Sequence, residues 1–171
     1  DPNKGIRSLI EAIGQTEAPT RLTLIDNDHP DNEVFKWARA AGIEHRIEVT
    51  GRVPQEELIR HYRSASIVAV PSRYEGFGLP AVEAMACGTP VVACQAGALR
   101  EVMEQAGGGI TVPIDDSKAL SSGIRELMAD ADRRRALGQT GRRKVCDVFS
   151  WPRIARRTAE VYAEVLSERR G

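Results

Sequence analysis

Hydrophobic positions along the chain follow two kinds of pattern. Ile6, Leu9, Ile10 and Ile13 recur at the i, i+3, i+4, i+7 spacing of one helix face. Residues 67–71 (IVAVP) instead form a short, continuous run rich in β-branched side chains, which is typical of a strand buried on both faces. The two patterns alternate towards the C-terminus, so the sequence predicts alternating helices and strands.

Five strands and eight helices are predicted in this way. The strands are 21–26, 46–50, 67–71, 89–94 and 109–113, and the helices are 6–13, 31–41, 54–65, 79–87, 98–105, 117–129, 131–147 and 151–168. Alternation at this spacing indicates a parallel sheet with helices on both faces. The predicted fold is a three-layer α/β/α, Rossmann-like domain with a parallel sheet of five to six strands and extra helices over 131–171. Ligands of such sheets bind beyond the carboxyl ends of the strands.

The loop after the third strand carries the strongest candidate chemistry. Residues 72–80 read SRYEGFGLP and lead into a predicted helix. Gly76 and Gly78 allow the backbone to approach a ligand closely. The free N–H groups of the first helical turn, together with the helix dipole, favour an anion. The loop therefore predicts a phosphate site that has no Walker lysine.

Two glutamates flank this turn. Glu75 lies just before the glycines, and Glu83 lies about one turn inside the helix. The neighbours of Glu83 are apolar nearly all round, so this acid is expected to have a specific partner. A carboxylate accepts two hydrogen bonds from vicinal hydroxyls, so Glu83 suits a ribose and Glu75 suits a sugar.

The E-x7-E spacing of these acids lies inside the segment PSRYEGFGLPAVEAMACGTPVVA. This segment closely resembles the retaining glycosyltransferases of family 4, which have the two-lobed GT-B fold. The likeness extends from DPNKG through GRVPQEEL and GITVP to the final FSW helix. It implies that residues 1–171 form the C-terminal, nucleotide-sugar-binding lobe of a glycosyltransferase, and that the N-terminal, acceptor-binding lobe is absent from this sequence. By itself, such a lobe is expected to be inactive.

The resemblance also implies a role for each motif position. Glu75 is the catalytic candidate and contacts the hydroxyls of the donor sugar. Glu83 binds the ribose, and Arg52 and Val53 lie where the nucleobase binds. The residues expected to hold the diphosphate and the sugar are Lys4, Gly76, Phe77, Gly78 and Leu79. No metal ion or other cofactor is expected, because the nucleotide sugar is itself the donor substrate, and the sugar is transferred with retention.

Two segments depart from the family pattern. After the first strand the family often has Gly-x-Gly, whereas this chain has Asp26-Asn27-Asp28, whose acids would repel a diphosphate unless they point away or bind a cation. The family's Gly-Gly-x-Pro-Glu segment here begins at Gly97, with Ala98 and Arg100 inside it. We expect Arg100 to add a positive group that faces the diphosphate.

Charge is distributed unevenly, although 24 basic and 24 acidic groups balance. Residues 1–132 carry 13 basic and 20 acidic groups, whereas residues 133–171 carry 11 basic and 4 acidic groups. The basic tract is either a solvated helix face or a contact for anionic membrane. Nucleic acid is not an expected partner, since no aromatic side chains are interleaved for base stacking. Without a signal-peptide pattern, we expect a cytoplasmic protein, and the membrane alternative for the basic tract places it at the cytoplasmic membrane face.

Three other classes of protein compete with this interpretation. Gly76-x-Gly78-x-x-Ala81 formally fits a dinucleotide fingerprint, but four residues separate it from the strand and the expected acid about 20 residues later is missing. A nucleotide-sugar epimerase or a phosphorylase, built from two similar lobes, is a second alternative. A non-catalytic nucleotide-sugar-binding module is the third. The sequence leaves the donor, the acceptor and the oligomeric state open.

Overall fold

Parallel strands and helices alternate along the chain in the computed structural model, which describes residues 2–16, 20–25 and 31–168. The five strands in this part of the chain are β1 (Leu22–Leu24), β2 (Ile47–Val49), β3 (Val68–Val70), β4 (Val91–Cys94) and β5 (Gly109–Val112). The helices are α1 (Ile6–Gly14), α2 (Asp31–Ala40), α3 (Gln55–Ser64), α4 (Leu79–Ala86), α5 (Ala98–Ala106), α6 (Ser117–Ala129), α7 (Ala131–Phe149) and α8 (Trp151–Glu168). All predicted elements are present, and the strands are one to three residues shorter than predicted.

The strands form two hydrogen-bonded groups. β1 pairs with β2, and β3, β4 and β5 form a second parallel ladder in that order. Within the described residues no ladder joins β1 to β3, and a cavity of about 1270 Å³ is lined by both strands. The predicted alternation is confirmed, but the strands do not form one continuous ladder in the described part of the chain.

β4 shows why the fold has three layers. Its four residues are all buried, and successive side chains point to opposite faces of the sheet. Val92 and Cys94 join the apolar cluster formed with α1, α2 and α6. Val91 and Ala93 join the cluster formed with α4, α5 and α7. Burial on both faces explains the continuous apolar run in the sequence.

Side-chain caps define the start of two C-terminal helices. Asp116 accepts a hydrogen bond from the backbone N–H of Ala119 at 2.8 Å and begins α6. Asp130 accepts one from the N–H of Arg133 at 2.8 Å and begins α7. A side-chain acceptor at this position satisfies an N–H group that the helix leaves unbonded, so the sequence marked both boundaries correctly.

The arginines at the start of α7 bind within the chain. Arg133 pairs with Glu126 at 2.5 Å, and Arg135 pairs with Asp132. Arg134 donates to the carbonyl oxygens of Leu127 and Met128 at the end of α6. This part of the basic tract therefore stabilises the α6–α7 junction.

α8 leaves its apolar side chains largely open to solvent. Trp151 is 82% exposed, and Val161, Tyr162 and Leu166 are exposed as well. The sequence predicts an apolar stripe on this helix, formed by Ile154, Val161, Tyr162 and Val165, that is either partly exposed or covered by a second copy of the chain. In the single chain the stripe is exposed. None of the helices in the described residues is long and apolar enough to span a membrane.

The three cysteines lie apart and are free. Cys94 is buried, and burial, together with the negative charge of Asp115, raises the pKa of its thiol to about 11. The wide spacing of the cysteines in the sequence predicts three buried free thiols, with no disulfide framework or zinc site. Cys87 is only half-buried and Cys146 is exposed, so this expectation is wrong for Cys146. Its position on the outer face of α7 is the reason.

Candidate functional site

The carboxylate of Glu75 is held between two donors at the carboxyl end of β3. Lys4 Nζ lies 2.8 Å from Glu75 Oε1, and the hydroxyl of Ser72 donates to the same oxygen at 3.0 Å. Ser72 is buried, and the Glu75 side chain is only 11% exposed, whereas Lys4 is half exposed. Both contacts involve Oε1, so Oε2 is the oxygen left for a ligand hydroxyl.

The start of the chain places Lys4 beside Glu75. Gly5 has φ +64°, and a Cβ at this position would overlap the carbonyl oxygen of Pro71, at the end of β3. The N–H of Arg73 donates to the carbonyl of Asn3 at 2.7 Å. These backbone contacts bind residues 3–5 to the segment after β3, so Lys4 reaches an acid 71 positions away in the sequence.

The loop after β4 supports the backbone of Glu75. The N–H of Ala98 donates to the Glu75 carbonyl at 3.2 Å. Gly97 has φ 52° and ψ −134°, and a Cβ there would lie 2.5 Å from the same carbonyl oxygen. Only glycine adopts this conformation without strain. The segment that begins at Gly97 has alanine in place of the family's second glycine, but it keeps the glycine that packs against the Glu75 carbonyl.

Glu83 lies on α4 and has a hydrogen-bond partner, as expected, but the reason given from the sequence is wrong, because its side chain is not enclosed by the apolar neighbours. The phenol of Tyr62, on α3, donates to Glu83 Oε2 at 3.0 Å. Glu83 itself is exposed rather than buried, so the carboxylate stays accessible. Burial, and next the charge of Glu83, raise the pKa of the Tyr62 phenol well above its ordinary value. Tyr62 therefore remains protonated and acts as the donor.

The glycine turn sets the start of α4. Gly78 has φ +91°, and the N–H groups of Ala81 and Val82 both bond to its carbonyl. In the described residues, the N–H groups of Phe77 and Leu79 have no backbone acceptor, as expected for the first turn of a helix. The Phe77 ring packs edge-on against Phe149, with centroids 5.4 Å apart, so its side chain turns towards α7.

One cavity connects the predicted binding residues. Lys4 and Glu75 line it with Glu83, Arg52 and Val53, and the cavity also extends along β1 and β3. Gly76, Phe77, Gly78 and Leu79 do not line this cavity, although Pro80 does. The structure thus places Lys4, Glu75, Glu83, Arg52 and Val53 on the wall of one cavity, and the glycine turn lies outside this wall.

Arg100 does not reach this cavity. Its guanidinium pairs with Glu104 at 2.9 Å on the surface of α5, and this bond raises the pKa of the arginine. The expectation that Arg100 faces the diphosphate is wrong, because an acid one helical turn away binds it first. Asp26-Asn27-Asp28 lies outside the described residues. Among the described residues no His, Cys, Asp or Glu side chains cluster as metal ligands.

Three residues at the site were given no contact with the glutamates in the sequence analysis, although the segment that contains Gly97 was noted. Ser72, Tyr62 and Gly97 contact the two glutamates, but none belongs to the E-x7-E motif. A local signal existed for Ser72 alone, since it directly follows β3. Tyr62 and Gly97 lie 21 and 22 positions from the acids they contact, and only the packing of separate elements shows them.

The fold is a Rossmann-like lobe. Its cavity is lined by a lysine, Lys4, and by two glutamates, Glu75 and Glu83. The profile of the family described as glycosyl transferases group 1 matches residues 1–144. The chain belongs to this family.

Characterised relatives cover nearly the whole chain. The MMP α-(1→4)-mannosyltransferase of Mycolicibacterium hassiacum is 36% identical over 97% of this chain and 41% of its own length. The D-inositol 3-phosphate glycosyltransferase of Kineococcus radiotolerans is 37% identical over 82% of this chain and 34% of its own length. The chain thus spans less than half the length of either relative.

Solved structures share the fold. Sucrose-phosphate synthase from Thermosynechococcus elongatus superposes with a TM-score of 0.87 at 33% identity, over 98% of this chain and 44% of that one. Anabaena HepE in complex with UDP-glucose gives a TM-score of 0.87 at 25% identity, over 96% and 46%. The architecture is that of one Rossmann-like lobe of a GT-B glycosyltransferase, as the sequence predicted.

Proposed function

We propose that this chain binds a nucleoside diphosphate sugar and is the donor-binding part of a retaining glycosyltransferase. The observation that carries the proposal is the cavity in which Lys4, Glu75 and Glu83 meet Arg52 and Val53. These residues offer a cation, two carboxylates and a base-side wall in one continuous space. A nucleotide sugar has the matching parts: a charged bridge, two hydroxylated rings and a flat base.

Each part of the donor has a proposed partner. The free oxygen of Glu75 accepts bonds from the sugar hydroxyls, and Glu83 accepts bonds from the ribose. Lys4 and the N–H groups at the start of α4 face the diphosphate. Arg52 and Val53 contact the base. HepE from Anabaena was crystallised with UDP and with UDP-glucose, which favours a uridine nucleotide here.

In the proposed reaction the bond between the anomeric carbon and the diphosphate oxygen breaks. An acceptor hydroxyl oxygen bonds to the same carbon on the same face, and the proton of that hydroxyl passes to the leaving diphosphate oxygen. Negative charge grows on the leaving diphosphate, and donors fixed in advance around it lower the barrier. Lys4 and the α4 N–H groups are such donors. We expect the chain by itself to bind the donor without transferring sugar, since its relatives are more than twice as long.

A calorimetric comparison of UDP, GDP and ADP tests the proposal on the chain itself. We expect one nucleotide to bind with a dissociation constant between about 1 μM and 1 mM, in the range typical of enzyme substrates. NAD serves as the control for the dinucleotide alternative. If no nucleoside diphosphate binds at 10 times the upper limit, or if NAD binds best, the proposal is wrong.

Lys4→Met should weaken binding of UDP more than binding of UMP. A charge-assisted bond to a phosphate contributes about 1.5 to 3 kcal/mol, and the half exposure of Lys4 lowers this, so we expect about a 10-fold loss for UDP. For UMP, which lacks the second phosphate, the loss should be about 2-fold or less. The matched control is Lys144→Met, on the exposed face of α7. Equal losses for both nucleotides would show that Lys4 does not read the diphosphate.

Peripheral contact of the basic tract with an anionic membrane is a separate proposal, and only part of the tract is available for it. Arg133, Arg134 and Arg135 are already engaged within the chain. Within the described residues, the other cations of the tract lie later on α7 and on α8, and α8 also carries exposed apolar side chains. Such a mixture of basic and apolar groups suits a membrane surface, and the donor site does not depend on it.

A further inference from the structure

Tyr62 contacts Glu83, the proposed ribose-binding carboxylate, and the sequence did not indicate this contact. It lies on α3, and its hydroxyl is 3.0 Å from Glu83 Oε2 on α4. Tyr62 also lines the same cavity as Glu83, Arg52 and Val53. The hydrogen bond therefore forms at the wall of the binding cavity and not inside the core.

The tyrosine is fixed at both ends. Its backbone carbonyl accepts a hydrogen bond from the buried hydroxyl of Thr89 at 2.5 Å, just before β4. Its ring packs against the apolar cluster that contains Met85 and Val91. Because backbone and ring are both held, the phenol oxygen has a defined position relative to α4. A rigid donor restricts the rotation of an otherwise exposed carboxylate.

The direction of the bond determines what remains for a ligand. The phenol stays protonated, because burial and the charge of Glu83 both raise its pKa, so it donates to the carboxylate. An ionised carboxylate has about four lone-pair sites on two oxygens. Tyr62 occupies one site on Oε2, and Oε1 together with the rest of Oε2 stays open. Two adjacent hydroxyls of one ring match these open positions.

We infer that Tyr62 is a positioning residue that orients the Glu83 carboxylate for the two hydroxyls of a ribose and so makes the site select ribonucleotides. This inference rests on the proposed function, and it adds the specificity of that same site. Tyr62 acts through the Glu83 carboxylate, to which its phenol donates. A tie between α3 and α4 that only supports the fold is the alternative role.

Tyr62→Phe tests the two roles, because phenylalanine keeps the ring and loses only the donor. UDP and 2′,3′-dideoxyuridine diphosphate are titrated against the wild type and the variant. The bond that is lost orients the Glu83 carboxylate and does not join the protein to UDP, so we expect UDP binding to weaken about 5- to 10-fold, less than for the loss of a direct hydrogen bond to a charged group. Binding of the dideoxy nucleotide should change by less than about 2-fold, because it has no ribose hydroxyl for Glu83 to accept.

Two controls complete the experiment. Tyr162→Phe makes the same change on the exposed face of α8 and should leave both nucleotides unaffected. In a Glu83→Ala background, Tyr62→Phe should have no further effect on UDP, because the carboxylate that it orients is gone.

The outcomes separate this inference from the proposed function. A wild-type chain that binds none of UDP, GDP and ADP contradicts the proposed function, and a chain that binds GDP or ADP in place of UDP is tested with that nucleotide and its 2′,3′-dideoxy analogue. If the wild type binds UDP and Tyr62→Phe weakens both nucleotides equally, or still weakens UDP in the Glu83→Ala background, then Tyr62 acts through the fold and the inference is overturned. An unchanged affinity for UDP in Tyr62→Phe overturns it too.

Discussion

Glu83→Ala is expected to weaken the binding of UDP by about 30- to 100-fold, because two hydrogen bonds to a charged acceptor are lost and the exposure of Glu83 to solvent lowers the contribution of each below its ordinary value of about 1.5 to 3 kcal/mol. The carboxylate is exposed at the cavity wall, and Tyr62 holds one of its oxygens at 3.0 Å. Removing it leaves the two ribose hydroxyls without acceptors inside the site. The affinity for 2′,3′-dideoxyuridine diphosphate should fall by less than about 3-fold, since that nucleotide lacks both hydroxyls.

Calorimetry on both nucleotides measures this effect. Glu104→Ala is the matched control, because Glu104 is an exposed glutamate on α5 whose partner is Arg100 and which does not line the cavity. An exposed ion pair contributes little to stability, so this variant should bind and unfold like the wild type. Undiminished affinity for UDP in Glu83→Ala would remove the basis of the ribose assignment.

Gly138→Ala is expected to destabilise the domain by about 2 to 4 kcal/mol, in the range of an overpacked core. Gly138 is buried in the middle of α7, and a Cβ there would overlap the carbonyl oxygen of Gly88, which follows α4. Neither backbone segment yields cheaply, so α7 must move away from α4. At this chain length, such a loss lowers the midpoint of thermal unfolding by roughly 5 to 15 °C.

Gly123→Ala is the matched control for this prediction. Gly123 is also a buried glycine inside a helix, α6, but its nearest neighbour for a Cβ is a side-chain atom of Val92 at 3.3 Å. The gain in helix propensity, about 1 kcal/mol, offsets this contact, so stability should change by about 1 kcal/mol or less. If Gly138→Ala and Gly123→Ala lower the midpoint of thermal unfolding equally, then the close approach of α7 to Gly88 is not the reason that position 138 requires glycine.

Local sequence signals predicted most of the fold. The bounds of α6 and the starts of α4 and α5 agree with the prediction to the residue, because caps, glycines and apolar spacing act over a few positions. The strands were predicted too long at their ends; in β3, Ile67 extends the β-branched run before the first ladder pair at Val68, and Pro71 follows the last pair. A β-branched run indicates a strand but does not specify which other strand it pairs with. The division into two ladders was therefore not predicted.

The candidate site divides in the same way. The sequence by itself determined the glycine turn and the two glutamates around it, because their spacing places them at the mouth and in the first turns of one helix. Only the tertiary structure decided which groups hold those acids: Lys4 and Ser72 for Glu75, and Tyr62 for Glu83. These contacts join separate elements, and their geometry depends on how the helices pack on the sheet. A spacing in one segment cannot encode it.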